Sequence, residues 1–167
     1  MRRGRQSRER WGRAMRAGVA TAGFLLAAVS AQAIGTCSFS VATGVSFGSY
    51  DPLNTNPLDQ TGHITFSCNL LFLQTLTIDL SQGNSGTYAY REMRKAGGGV
   101  LRYNLYLDAA RTTGQIWGDG TGGSAHFGPF LPILNFNHMV TIYGRVPEQQ
   151  SSPVGSYTDT ITVTINF

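Results

Sequence analysis

The stretch that decides the fold is the last eleven residues, Tyr157-Thr-Asp-Thr-Ile-Thr-Val-Thr-Ile-Asn-Phe167. Its odd-numbered positions carry the larger and mostly apolar side chains: Tyr157, Asp159, Ile161, Val163, Ile165 and Phe167. Because successive side chains of a strand point to opposite faces, this alternation predicts a β-strand with one buried face. Many domains end in a few loose polar residues, but here the pattern continues to the last position. The strand is therefore expected either in the middle of a sheet or beside an incomplete sheet edge.

The same alternation recurs through the chain, whereas helical periodicity is hard to find after Ala33. Four further strands are predicted, with these inward faces: Ile64, Phe66 and Cys68; Leu76, Ile78 and Leu80; Leu101, Tyr103, Leu105 and Leu107; Val140, Ile142 and Val146. Turn-forming stretches rich in Gly, Asn, Asp and Pro separate them. Each strand has one face to bury, so the sequence predicts an all-β domain of two sheets packed face to face.

The N-terminus has the pattern of a secretory signal peptide. Seven arginines between Arg2 and Arg16 precede an apolar run from Ala17 to Val29, and Ala31-Gln32-Ala33 has the small residues of a cleavage site. The apolar run is shorter than the ~20 residues that a membrane-spanning helix needs. We therefore predict a signal peptide over residues 1–33 and one mature domain over 34–167, with no membrane insertion after cleavage. A retained amphipathic helix is the alternative.

Removal of the signal peptide reverses the net charge. Seven of the 13 Lys and Arg residues lie in it, so the mature chain keeps six basic and eight acidic side chains. A nucleic-acid-binding surface needs clustered Lys and Arg. A nucleic-acid partner is therefore not expected.

Cys37 and Cys68 are the only two cysteines. In an exported chain such a pair predicts a disulfide, because the periplasm and the extracellular space oxidise thiols. A metal site is the alternative, but two cysteines and the scattered His63, His126 and His138 lack ligand spacing. We expect no metal, no cofactor and no catalytic residue.

Trp117-Gly118-Asp119-Gly120 has two interpretations. An aspartate beside an aromatic ring occurs in sugar-binding sites. A turn in which Asp119 binds its own backbone, with Trp117 packed on the sandwich, is the favoured interpretation.

Eight short motifs, taken in order, resemble the spore coat protein U domain family, which includes the pilin subunits of archaic chaperone-usher pili. They are Cys37-x-Phe39, Phe47-Gly-Ser-Tyr-Asp51, Thr65-Phe-Ser-Cys68, Tyr90-Arg-Glu-Met93, Leu101-Arg-Tyr-Asn-Leu-Tyr106, Trp117-Gly-Asp-Gly120, Tyr143-Gly-Arg-Val-Pro147 and Gly155-Ser-Tyr-Thr-Asp-Thr160. The resemblance spans nearly the whole mature chain.

The resemblance implies an immunoglobulin-like sandwich that lacks its final strand and is completed by a donated strand. A periplasmic chaperone would fill the open groove first and a neighbouring pilus subunit later, after passage through an outer-membrane usher. The residues implied in partner-strand and chaperone binding are Tyr157, Ile161, Val163, Ile165 and Phe167. The protein would pass through the periplasm and end on a pilus or the cell surface. The alternative is a free-standing secreted coat or carbohydrate-binding module.

A donor segment is the one feature of polymerising relatives that the sequence lacks. Such a segment needs about ten alternating residues before the first cysteine, and cleavage after Ala33 leaves only Ile34, Gly35 and Thr36. Three residues span at most about 10 Å. We therefore expect a tip or accessory subunit that accepts a strand without donating one.

Overall fold

The computed structural model describes residues 35–70, 75–131 and 136–167. The predicted signal peptide and Ile34 lie outside this range. Eight strands follow in chain order: β1 (Gly35–Thr43), β2 (Leu58–Leu70), β3 (Leu76–Leu80), β4 (Arg91–Arg94), β5 (Val100–Tyr106), β6 (Phe127–Phe130), β7 (Phe136–Val146) and β8 (Val163–Asn166). Two single-turn 3₁₀ helices, Gly83–Ser85 and Thr113–Gln115, lie in the connections.

The strands form two antiparallel sheets, which confirms the predicted all-β immunoglobulin-like sandwich. The larger sheet has the order β1-β2-β7-β5-β4 and the smaller one has the order β6-β3-β8. Within the described residues, β8 pairs with β3 on one side and with no strand on the other. The smaller sheet therefore ends at an open edge.

One hydrophobic core fills the space between the sheets. The inward faces predicted from the alternation are buried, with Leu107 half-buried at the end of its strand. Trp117 is also fully buried, and its Nε1 donates a hydrogen bond to the carbonyl oxygen of Ile78 at 2.8 Å. The polar side chains that alternate with these residues, many of them Thr, lie on the opposite, outward faces of the sheets.

Phe47 occupies a gap that the sequence leaves in β7. Gly144 falls where the alternation would place an inward side chain, and a Cβ atom there would lie 2.8 Å from the Phe47 ring. The absence of a side chain at Gly144 thus lets the segment after β1 pack closely on the sheet.

The disulfide is as predicted: Cys37 of β1 is bonded to Cys68 of β2. The two residues are direct partners in the antiparallel ladder, with their Cα atoms 4.1 Å apart. The predicted turn at Asp119 is also confirmed, because its Oδ1 accepts a hydrogen bond from the backbone N–H of Thr121. With Trp117 buried, this loop does not present that ring to a sugar.

The C-terminal strand is shorter than predicted. The alternation extends from Tyr157 to Phe167, but the regular ladder covers only β8. The physical reason is that the segment crosses between sheets: Thr158 forms an isolated bridge with Arg94 of β4, and the chain joins β3 only from Thr162 onwards.

Candidate binding groove

An open groove of about 1020 Å³ lies beside the C-terminal segment. One wall is the segment that follows β1, residues 44–50, and the other is formed by residues 152–163. Its floor is formed by buried core residues that include Ile64, Leu80, Tyr103, Leu105 and Ile142. The groove is therefore long, largely apolar at its base and continuous with the interior of the sandwich.

The first wall has no ladder partner and belongs to no strand. Val45 and Phe47 point toward the core, while Gly44, Ser46 and Gly48 are exposed. Among the described residues, no backbone-to-backbone hydrogen bond involves residues 44–50. The wall is held instead by its side chains and by Tyr50, whose hydroxyl donates to the carbonyl oxygen of Pro147 and accepts from the N–H of Gln150.

The second wall has an open backbone edge, and which of its residues present their N–H and C=O groups there follows from its hydrogen bonds. Thr158 exchanges both backbone hydrogen bonds with Arg94, and the carbonyl oxygen of Thr162 accepts from the N–H of Ser81. Because the direction of backbone groups alternates along a strand, even-numbered residues bond to the sandwich and odd-numbered residues face the opposite way. The N–H and C=O groups of Ile161, Val163 and Ile165 therefore point to the open edge.

The five residues that the resemblance implied in binding do not all lie in the groove. Tyr157, Ile161 and Val163 are half-buried and line it. Ile165 is half-buried against the core farther along β8, and Phe167 is 44% exposed at its end. The structure thus brings three of them together in the groove and places the other two beyond it along the same strand.

The first wall, residues 44–50, was not predicted from the sequence as part of the binding site. Val45 and Phe47 line the groove opposite the C-terminal strand, and Met93 of β4 contributes near its end. The signal that could have found them is the two-residue spacing of Val41, Thr43, Val45 and Phe47, which continues the β1 pattern past the end of its ladder.

Asp159 is the one charged side chain on the groove-facing side of the C-terminal segment. Its Oδ2 accepts a hydrogen bond from the hydroxyl of Tyr103 at 2.8 Å, and its Oδ1 accepts from the backbone N–H of Asn84 at 3.0 Å. Burial raises the pKa of Tyr103, and the hydrogen bond to Asp159 raises it further. Tyr103 therefore stays a neutral donor that anchors the carboxylate.

The groove contains no recognisable catalytic set in the part of the chain that the structure describes. The three histidines lie apart: His63 beside Thr43, His126 beside Asp79, and His138 stacked on Phe136. Over the same residues, no group of three or more His, Cys, Asp or Glu side chains is arranged to hold a metal ion. None of the helices described there is long and apolar enough to cross a membrane.

The fold and the groove define a class: an antiparallel β-sandwich with an open groove beside the edge strand of its smaller sheet. The sequence profile of the Spore Coat Protein U domain matches residues 23–164, and the chain belongs to this family. The expected family membership is thereby confirmed. The match begins within the predicted signal peptide, outside the described residues.

Two further similarities agree with this family. The chain is 33% identical over 147 residues to Protein U of Myxococcus xanthus, covering 80% of this chain and 78% of that protein. It also superposes on the crystal structure of the CsuC-CsuE chaperone-tip adhesion subunit pre-assembly complex from the archaic chaperone-usher Csu pili of Acinetobacter baumannii. That match has a TM-score of 0.51 and 19% identity, and covers 80% of this chain but only 40% of the matched chain. This second likeness establishes a shared fold.

Proposed function

We propose that this protein is a structural subunit of a chaperone-usher pilus or a related surface fibre, completed by a strand from another chain. The observation that carries the proposal is the pair of unpaired backbone walls on either side of one apolar groove. An inserted strand could bond to both walls at once, while its alternate side chains would cover the floor. This is strand addition, in which main-chain hydrogen bonds supply affinity and side-chain pockets supply specificity.

An empty groove of this kind is costly. It leaves the half-buried wall residues Val45, Ile161 and Val163 partly in contact with water, and it leaves a strand edge that another chain can pair with. A protein with such a groove needs a partner from the time it folds. In the proposed pathway a periplasmic chaperone is the first partner, an outer-membrane usher receives the complex, and a neighbouring subunit supplies the final strand.

We assign the subunit to the tip or to an accessory position. β1 begins at Gly35, which pairs with Leu70 of β2, so with cleavage after Ala33 no free strand would precede the sandwich. N-terminal sequencing of the exported protein is expected to begin at Ile34. A mature chain that starts about ten residues earlier would carry a donor segment and would instead support a repeating subunit.

A free-standing coat module is the second candidate, favoured by membership of a family named for a spore coat protein. The two candidates differ in one physical property. A finished module is stable alone, whereas a pilus subunit gains stability when its groove is filled. No enzymatic role is proposed.

The test is to fuse a strand of about ten alternating threonine and valine residues to the C-terminus through a short flexible linker. The linker returns the strand antiparallel to β8, where it can bond to Ile161, Val163 and Ile165. We expect the free energy of unfolding in urea to rise by about 2 to 3 kcal/mol, because apolar groove side chains become covered.

The matched control is an identical fusion in which serine replaces every valine. It keeps the linker, the length and the backbone but offers no apolar side chains. If the unfused chain is as stable as the valine fusion, the groove needs no partner strand and the coat-module interpretation is favoured. Equal stabilisation by both fusions would contradict the proposed role of the apolar floor.

A further inference from the structure

The C-terminal segment is nearly unchanged when it is shifted by two residues. Thr158, Thr160, Thr162 and Thr164 are identical on the outer face, and Ile161, Val163 and Ile165 are similar on the inner face. A strand shifted by two keeps every side chain on its proper face. The hydrophobic pattern alone therefore allows this segment more than one register against β4 and β3.

Asp159 breaks this repeat. In the observed register its carboxylate bonds to Tyr103 of β5 and to the backbone of Asn84 in the Gly83–Ser85 turn. The fit is close, since a Cβ atom on Gly83 would lie within contact distance of the Asp159 carboxylate. If the segment were shifted so that Thr160 faced Arg94, Ile161 would occupy this position. The Tyr103 hydroxyl and the Asn84 N–H would then face an aliphatic side chain and lose their acceptor.

We infer that Asp159 is a positioning residue that fixes the register of the groove wall. Between Thr158 and Thr162 the segment changes from β4 to β3, and the side chain of Asp159 is the polar anchor within that crossing. Asn84 is exposed, so its N–H can turn to water, but Tyr103 is buried, and a buried donor that loses its acceptor costs more than a hydrogen bond contributes when it forms. Together with the hydrogen bond from Asn166 Nδ2 to Asp79 Oδ2 at the other end of the segment, this penalty favours the observed register among registers that the repeated Thr, Ile and Val side chains barely distinguish.

The register of the wall determines the register of any strand that pairs with it. A shift of two residues moves the open backbone groups by about 6.6 Å along the groove. The consequence for the binding of a partner strand rests on the proposed function. The inference that Asp159 fixes the register of the wall does not.

The test uses engineered disulfides as register markers in the unfused chain. Arg94 and Thr158 are exposed direct partners that exchange both backbone hydrogen bonds, a geometry that an added disulfide can span. The pair R94C/T158C reports the observed register, and R94C/T160C reports the register shifted by two. Cross-linked peptides are quantified by mass spectrometry after oxidation.

With Asp159 present, the 94–158 link is expected to dominate. D159A is expected to raise the ratio of 94–160 to 94–158 links roughly tenfold or more, since hydrogen bonds to a charged group are lost. D159N should restore part of the preference, because its amide oxygen can accept one of the two bonds. Y103F should give a smaller shift than D159A, since it removes one of the two donors.

D108A is the matched control. Asp108 accepts hydrogen bonds from the N–H and hydroxyl of Thr112 in a loop that lies outside the groove, so its removal should leave the link ratio unchanged. An unchanged ratio in folded D159N and Y103F would overturn the inference, even if D159A fails to fold. Failure of strand fusion to stabilise the wild-type chain would count against the proposed function alone.

Discussion

Replacing Arg91 with methionine is expected to lower the free energy of unfolding by about 4 kcal/mol, because the carbonyl oxygens of Ser81 and Trp117 lose their side-chain donor and Asn104 Oδ1 keeps only the N–H of Leu105. Arg91 is fully buried in the sandwich. Its guanidinium donates to the carbonyl oxygens of Ser81 and Trp117 and to Oδ1 of Asn104, at 3.0, 2.6 and 2.7 Å. Methionine fills a similar volume but donates nothing.

The effect should extend to the groove. The backbone N–H of Ser81 donates to Thr162, and the Ser81 hydroxyl accepts from the Thr162 N–H. Arg91 therefore holds the residue to which the C-terminal wall is attached. R91K should recover only part of the loss, since a compact ammonium group cannot reach three separated acceptors as a planar guanidinium does.

R102M is the control, because it removes an arginine that is exposed rather than buried. Arg102 lies on the neighbouring strand, is exposed and stacks over the ring of Tyr90 at 4.2 Å. Its replacement should cost about 1 kcal/mol or less. Urea unfolding of the strand-fused protein gives both values. A loss below 1 kcal/mol for R91M would show that the carbonyl oxygens of Ser81 and Trp117 find other donors.

Alternation in the sequence was sufficient to predict which apolar side chains of β2, β3, β5 and β7 are buried. The inward faces around Phe66, Ile78, Leu105 and Ile142 are as expected, because a period of two fixes the face on which each side chain lies. Alternation contains no information about which strand pairs with which. The order β1-β2-β7-β5-β4 therefore became known only from the structure.

Two features of the site were beyond the sequence pattern for physical reasons. Arg91 is charged, and its burial depends on acceptors from three distant parts of the chain. Asp159 lies on the apolar face of its segment, but its partners Tyr103 and Asn84 are brought to it only by the tertiary fold. In both cases the deciding contacts are long-range hydrogen bonds that no local periodicity encodes.

The opposite wall of the groove gives the sharpest test of whether a strand covers it. Val45 is half-buried, lines the groove and lies on the segment without backbone partners. In the unfused chain an aspartate at this position still reaches water through the open groove. In the completed domain the inserted strand would cover the same carboxylate, and an unpaired buried charge costs several kcal/mol.

V45D is therefore expected to destabilise the strand-fused protein by about 4 kcal/mol and the unfused protein by about 1 kcal/mol. V41D is the matched control, because Val41 is a 47% exposed valine of β1 that does not line the groove. V41D should lower the free energy of unfolding by the same small amount in the fused and the unfused protein. Urea unfolding of both variants and of the unmutated chain, each with and without the fused strand, measures the difference. If V45D costs the same with and without the fused strand, the added strand does not lie between residues 44–50 and the C-terminal wall, and strand insertion at this groove is refuted.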